Sequence, residues 1–86
     1  MRKKQQSYAS ISRYSVLLVW DAKDKVWVSH VPSLGGISTF GETKEAALKQ
    51  TQEAIEGYLE AAVKEGFEIP KSDAKAELAA VEVAMP

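Results

Sequence analysis

His30 is the single histidine of the chain, and Ser29, Ser33, Ser38 and Thr39 all lie within nine positions of it. An imidazole beside a hydroxyl is the smallest set of groups that supports nucleophilic catalysis, because the ring can take the hydroxyl proton during attack. Here the set is incomplete. No acid stands at a spacing that would orient the ring, and no nucleophile-elbow sequence surrounds the hydroxyls. His30 therefore reads as a strand histidine, packed or hydrogen-bonded at an edge. Gly35-Gly36 and Gly41 suggest a phosphate loop, yet neither a G-x-G-x-x-G run nor a terminal Lys-Ser/Thr follows, and turn geometry accounts for the glycines. Asp21 and Asp24 could hold a hard cation, and Glu53, Glu56 and Glu60 share one helix face. Two acids in a hairpin and one acidic stripe without a helical histidine are the pattern of solvated surface. There is no cysteine for thiolate chemistry or metal ligation. No catalytic, cofactor-binding or metal-binding residue is assigned, and nothing supports an enzyme.

These residues sit on a short series of elements. Residues 14–20, YSVLLVW, are rich in β-branched and aromatic side chains and read as a strand. Residues 21–25 form a hairpin loop, and residues 26–31, VWVSHV, a second strand. Pro32 lacks the N–H that a ladder needs and stops that strand. Residues 33–36 turn the chain into a third strand at residues 37–40. The strands are too close in sequence for crossover helices, so they make an antiparallel meander. Thr43 is a helix N-cap, with Glu45 favourable to the dipole in the first turn. Ala47, Leu48, Thr51, Ile55, Tyr58, Leu59 and Ala62 recur at helical spacing up to the stop at Gly66, which predicts a helix over residues 43–65. Beyond Pro70, residues 78–85 alternate, with Val81, Val83 and Met85 on one face, and predict a short fourth strand. The Ala-rich stretch at residues 74–80 could instead form a helical turn or two.

The fold expected is α+β: a two-layer sandwich of a three-stranded meander, one long helix and the fourth strand. A chain of 86 residues has room for a single domain, read as residues 13–86, preceded by a flexible basic tail at residues 1–12. Arg2, Lys3, Lys4 and Arg13 are the only charges before Asp21, and from Asp21 onward acids outnumber bases twelve to seven. The folded part is thus acidic, the opposite of a phosphate-binding surface. No apolar run reaches the roughly 20 residues of a membrane helix, and no apolar segment follows the basic start as in a signal peptide. Together these features imply a cytoplasmic, bacterial-type protein with no membrane partner.

The first strand departs from ordinary alternation. Tyr14, Val16, Leu18 and Trp20 point one way, while Leu17 and Val19 make the opposite face apolar as well. One helix covers one face, so a second face or an edge is expected to pack on another chain, most simply a second copy. The oligomer interface is placed at Tyr14, Leu17, Val19 and Trp20.

Read in order, the strand, acidic hairpin and second strand are followed by Pro32-x-Leu34-x-Gly36, Thr39 and Gly41-Glu42-Thr43. Glu45-Ala46, Ala54-Ile55, Tyr58-Leu59 and Gly66-x-x-Ile69-Pro70 come next. Over about residues 14–72 this succession resembles the HicB-like antitoxin domain. The family pattern runs roughly P-D-L-P-G-C-x-T-x-G-D-T and then E-E-A. Ser33, Gly35, Ile37 and Glu42 stand here for its Asp, second Pro, Cys and Asp. The resemblance implies a β-β-β-α-β domain, partial ribonuclease-H-like, that binds HicA, a small mRNA-cleaving toxin, and masks its active histidine. About sixteen residues follow Pro70, too few for a helix-turn-helix, so operator DNA binding is not expected.

The leading reading is thus an interaction protein, an oligomeric short antitoxin whose acidic domain covers the basic surface of a small toxin. Its partner-binding residues are placed in the hairpin and the following loop, at Asp21, Asp24, Trp27, Pro32, Ser33, Leu34 and Gly35. The alternative reading is a stand-alone nucleic-acid-binding module, using the basic tail and the sheet aromatics Tyr14, Trp20 and Trp27 as stacking platforms for RNA.

Overall fold

A computed structural model describes residues 12–70 and 75–86. The basic tail anticipated at residues 1–12 lies, apart from Ser12, outside the described residues, as do Ser72 and Ala74. Three strands and a helix follow one another in sequence: β1 (Leu17–Asp21), β2 (Val26–His30), β3 (Ser38–Gly41) and α1 (Lys44–Glu65). The sheet is an antiparallel meander in the order β1-β2-β3, so the expected α+β arrangement is the one observed.

Local chemistry sets the turns. At the β1–β2 hairpin, the Asp21 carboxylate accepts from the backbone N–H groups of Lys23 and Asp24 at 3.0 and 3.1 Å, an Asx-type closure. Lys25 completes the turn with φ at +55°. After β2, Pro32 opens a 3-10 turn, Pro32–Leu34. The turn is held by Leu34 N–H to the Val31 carbonyl and Ile37 N–H to the Leu34 carbonyl, both 3.1 Å. Gly36 reverses the chain at φ +102°, a conformation L-residues avoid. Because β2 ends before Pro32 and the ladder with β1 closes with Leu17 opposite His30, residues 14–16 lie outside that ladder. That is why β1 starts three residues later than its composition suggests.

Helix α1 has both of its termini closed. Thr43 Oγ1 accepts from Ala46 N–H at 3.0 Å. At the other end Gly66, at φ +79°, donates to the Val63 carbonyl, and Phe67 N–H donates to the Ala62 carbonyl at 2.8 Å, the Schellman arrangement. The helix lies over β2 and β3 rather than over β1. Ala47, Thr51 and Ala62 are therefore buried and Ile55 and Leu59 half-buried, while Leu48 and Tyr58, which share the same periodicity, remain exposed.

The core is small: Val31, Leu34, Ala47 and Ala62, with Ser29 and Thr51 as its polar members. Ser29 and Thr39 share a hydroxyl hydrogen bond of 2.8 Å, Thr39 and Thr51 one of 2.9 Å, and Thr51 and Ser29 one of 2.6 Å. Thr51 Oγ1 also reaches the Ala47 carbonyl at 2.7 Å. Three hydroxyl protons are shared among these four contacts, the single Thr51 proton going either to Ser29 or to the Ala47 carbonyl, and the ring of contacts ties the helix to β2 and β3, which satisfies groups that burial would otherwise penalise.

One expectation is corrected. Residues 75–86 form neither a helix nor a paired strand, so the fourth strand at residues 78–85 is absent and the helical option for residues 75–80 falls with it. All of these residues are exposed; the alternation is present, but no ladder among the described residues accepts it. Gly57 does not mark a close packing contact, since a Cβ built there meets nothing within 4 Å. Gly57→Ala is accordingly expected to stabilise the fold by about 0.5–1 kcal/mol, through helix propensity alone. Thermal or urea unfolding measures it, and a loss of stability would contradict the open packing seen at that position.

Candidate protein-interaction face

The face of the sheet turned away from α1 is built by register. Across the three strands Leu17 pairs with His30 and His30 with Ser38, while Val19 pairs with Val28 and Val28 with Phe40. Asp21 pairs with Val26 at the hairpin end. Because side chains alternate, all of these share the outer face, and Ser29, Trp27 and Thr39 belong to the inner one. The centre is apolar: Leu17 and Val19 are exposed, Val26 and Val28 half-buried, and Phe40 is 65% exposed. A shallow depression of about 290 Å³ runs along Phe40, Val28 and Val26 to Asp21 and Asp24. An apolar row rimmed by carboxylates at one end suits a protein surface with basic residues around an apolar patch.

The same geometry places the single histidine and its neighbouring hydroxyls. Ser29 is fully buried inside the hydroxyl ring, and His30 is exposed on the opposite side of the sheet. Ser29 and His30, neighbours in sequence, are thereby separated by the sheet, while Ser38 is the cross-strand partner of His30 on the outer face. Among the described residues, no three His, Cys, Asp or Glu side chains come together as a metal-ligating group. No helix is long and apolar enough to cross a membrane.

The residues anticipated as partner-binding fall into two groups. Asp21 and Asp24 stand at the hairpin, Asp21 also bracing the turn. Pro32, Ser33, Leu34 and Gly35 form the 3-10 turn and its exit at the other end of β2, roughly 16 Å away for a five-residue strand. Leu34 is buried beneath that turn with Val31. Trp27 lies on the inner face, its ring centroid 5.4 Å from that of Trp20 and 5.3 Å from Lys44 Nζ. One face of Trp27 is therefore occupied by the protein's own cation, a geometry that leaves less of it for a stacked base. Of the residues anticipated at an oligomer interface, Leu17 and Val19 are on the outer face. Trp20 is half-exposed beside Trp27, and Tyr14 donates its hydroxyl to the Pro70 carbonyl at 3.1 Å. Phe40 and Val28 complete the apolar row and were not singled out from the sequence. Residues 37–40, ISTF, do not alternate, and only the register through β2 shows that Phe40 and Val19 share a face.

The profile of a family described as "HicB_like antitoxin of bacterial toxin-antitoxin system" matches residues 14–83. The UPF0150 protein Ta0767 of Thermoplasma acidophilum is 38% identical over 63 residues, which are 73% of this chain and 90% of that protein. No solved structure gives a significant match. With a matching profile over most of its length, the chain belongs to the HicB-like antitoxin family of bacterial toxin–antitoxin systems.

Proposed function

We propose that this chain is a self-associating cytoplasmic antitoxin, without catalytic activity of its own, that binds and neutralises a small, basic, HicA-type mRNA-cleaving toxin. Family membership supports a toxin as the partner. The single observation that carries the mode of binding is the apolar row Val19–Val28–Phe40 across the face that the helix leaves open. A solvent-exposed phenylalanine at the end of such a row contributes nothing to the isolated fold, but it is the kind of aromatic anchor that dominates protein interfaces. The hairpin with Asp21 and Asp24 and the turn at Pro32, Ser33 and Gly35 flank this row at either end, with Leu34 holding the turn from below. A partner of ordinary interface size, about 800 Å² a side, spans both. The acidic balance from Asp21 onward complements a basic, RNA-handling protein and speeds its capture.

Phe40→Asp tests this directly, because the side chain is exposed and its loss leaves the core intact. The variant is expected to fold normally by circular dichroism, to bind a HicA-type toxin at least about tenfold more weakly, and to lose the ability to restore growth when co-expressed with it. Undiminished binding and rescue would overturn the assignment of this face.

A further inference from the structure

Residues 79–86 form an arm that the rest of the fold does not use. All of them are exposed, with Val81, Val83 and Met85 at 76–86%. Among the described residues, none of them makes a hydrogen bond. A run whose apolar side chains alternate in this way is suited to a sheet. Main-chain groups still to be paired and one apolar face are the two things an added strand offers a partner.

The point where the arm leaves the body is set by named contacts. The Tyr14 hydroxyl donates to the Pro70 carbonyl at 3.1 Å, and residues 76–78 lie beside Val16, Leu17 and Pro32. Leu17 belongs to the outer face, opposite His30 and one row from Val19, Val28 and Phe40. The arm therefore starts at the border of the face assigned above to the partner, at the end away from the Asp21 hairpin. At about 3.3 Å per residue, residues 79–86 reach roughly 26 Å when extended, against roughly 16 Å for a five-residue strand of the sheet. A protein seated on the apolar row is within that reach.

We infer that residues 79–86 are a second contact element for the same partner: they add as a strand to an exposed sheet edge of the basic toxin, with Val81, Val83 and Met85 packed together on one face of that sheet. Main-chain hydrogen bonds hold the added strand, and the alternate side chains select its register. Charge selects the occupant. From Ala76 onward the arm carries Glu77 and Glu82 and no base, and from Asp21 onward the chain has twelve acids against seven bases. A basic protein attracts such an arm, whereas a second acidic copy repels it. The inference rests on the toxin reading of the outer face and adds to it a contact that can be removed separately.

Deleting residues 79–86, and separately the double substitution Val81→Ser with Val83→Ser, should each weaken binding of a purified HicA-type toxin at least about tenfold. Helix content should be unchanged. The serine pair leaves the charge of the arm as it is, and it keeps the test decisive should the shortened chain fold poorly. Amide hydrogen exchange reads the strand itself: alternate amides of residues 79–85 should become protected in the complex, because every second N–H of an edge strand bonds to its neighbour. Equal affinity for the full chain and both arm variants overturns the inference and leaves the outer-face reading standing. Failure of the full chain to bind the toxin overturns both. Lost affinity without protected amides overturns the strand addition. So does protection already present without toxin, since the arm is then taken up by its own body or by a second copy.

Discussion

Gly41→Ala is expected to lower stability by about 3 kcal/mol, at the upper end of overpacking costs, and the melting temperature by roughly 10–20 °C. Gly41 ends β3 opposite Trp27, and only Glu42 and Thr43 separate it from the helix. A Cβ placed on it would lie 2.5 Å from the Ala47 nitrogen, 2.8 Å from the Ala46 carbonyl carbon and 2.9 Å from the Ala46 Cβ. Two of those three atoms are backbone, so no rotamer change relieves the clash. Nor can the first helical turn retreat cheaply. Ala47 is fully buried, its N–H is bonded to the Thr43 carbonyl at 2.9 Å, and its own carbonyl receives the Thr51 hydroxyl. Moving the turn would therefore loosen the cap and the hydroxyl ring together. Gly36 offers the contrast within the same molecule. Its requirement is conformational, with open space around it, so Gly36→Ala should cost only on the order of 1 kcal/mol. If denaturant unfolding showed Gly41→Ala to be the milder of the two, the close approach of strand and helix would be wrong.

Thr51→Val is expected to cost about 2 kcal/mol although the two side chains have nearly the same shape. The substitution opens no cavity of note. It removes the hydroxyl that contacts Ser29, Thr39 and the Ala47 carbonyl at 2.6–2.9 Å, within a site closed to water at Ser29 and Thr51. Ser29 and Thr39 keep their mutual bond but lose their shared partner. The diagnostic result is a coupling. In a Ser29→Ala background, Thr51→Val should cost at least about 1 kcal/mol less than it does alone, because the group it would leave unsatisfied is already gone. Additive losses in a double-mutant cycle would mean that the hydroxyls do not act as a ring.

Much of this arrangement is written locally in the chain. Pro32 ends β2 by lacking an N–H, Thr43 and Gly66 bracket the helix, and the order of turn formers and strands permits only a meander. The resemblance carried by residues 32–46 led to the family that the profile match supports. What was not legible depends on contacts between distant residues. The start of β1 is set by where β2 stops, so residues 14–16 look like strand but lie outside the ladder with β2. Leu48 and Tyr58 fit the helical stripe, yet they are exposed because the helix rides over β2 and β3. The alternation at residues 78–85 was visible, but alternation states a preference for a sheet and cannot supply the neighbouring strand. The anticipated contact residues were grouped by proximity in sequence. A five-residue strand separates the hairpin from the 3-10 turn, and the apolar row between them emerges only when Val19, Val28 and Phe40 are brought into register.

The central claim, that this chain neutralises a toxin, is tested most directly by RNA cleavage in vitro. The probe is a purified HicA-type toxin, titrated with the purified full chain while cleavage of a messenger RNA is followed. Cleavage is expected to fall to background at a fixed stoichiometry, and the two proteins to co-elute as one complex. Cleavage that continues undiminished at a large excess of this chain, with no complex formed, would contradict the account.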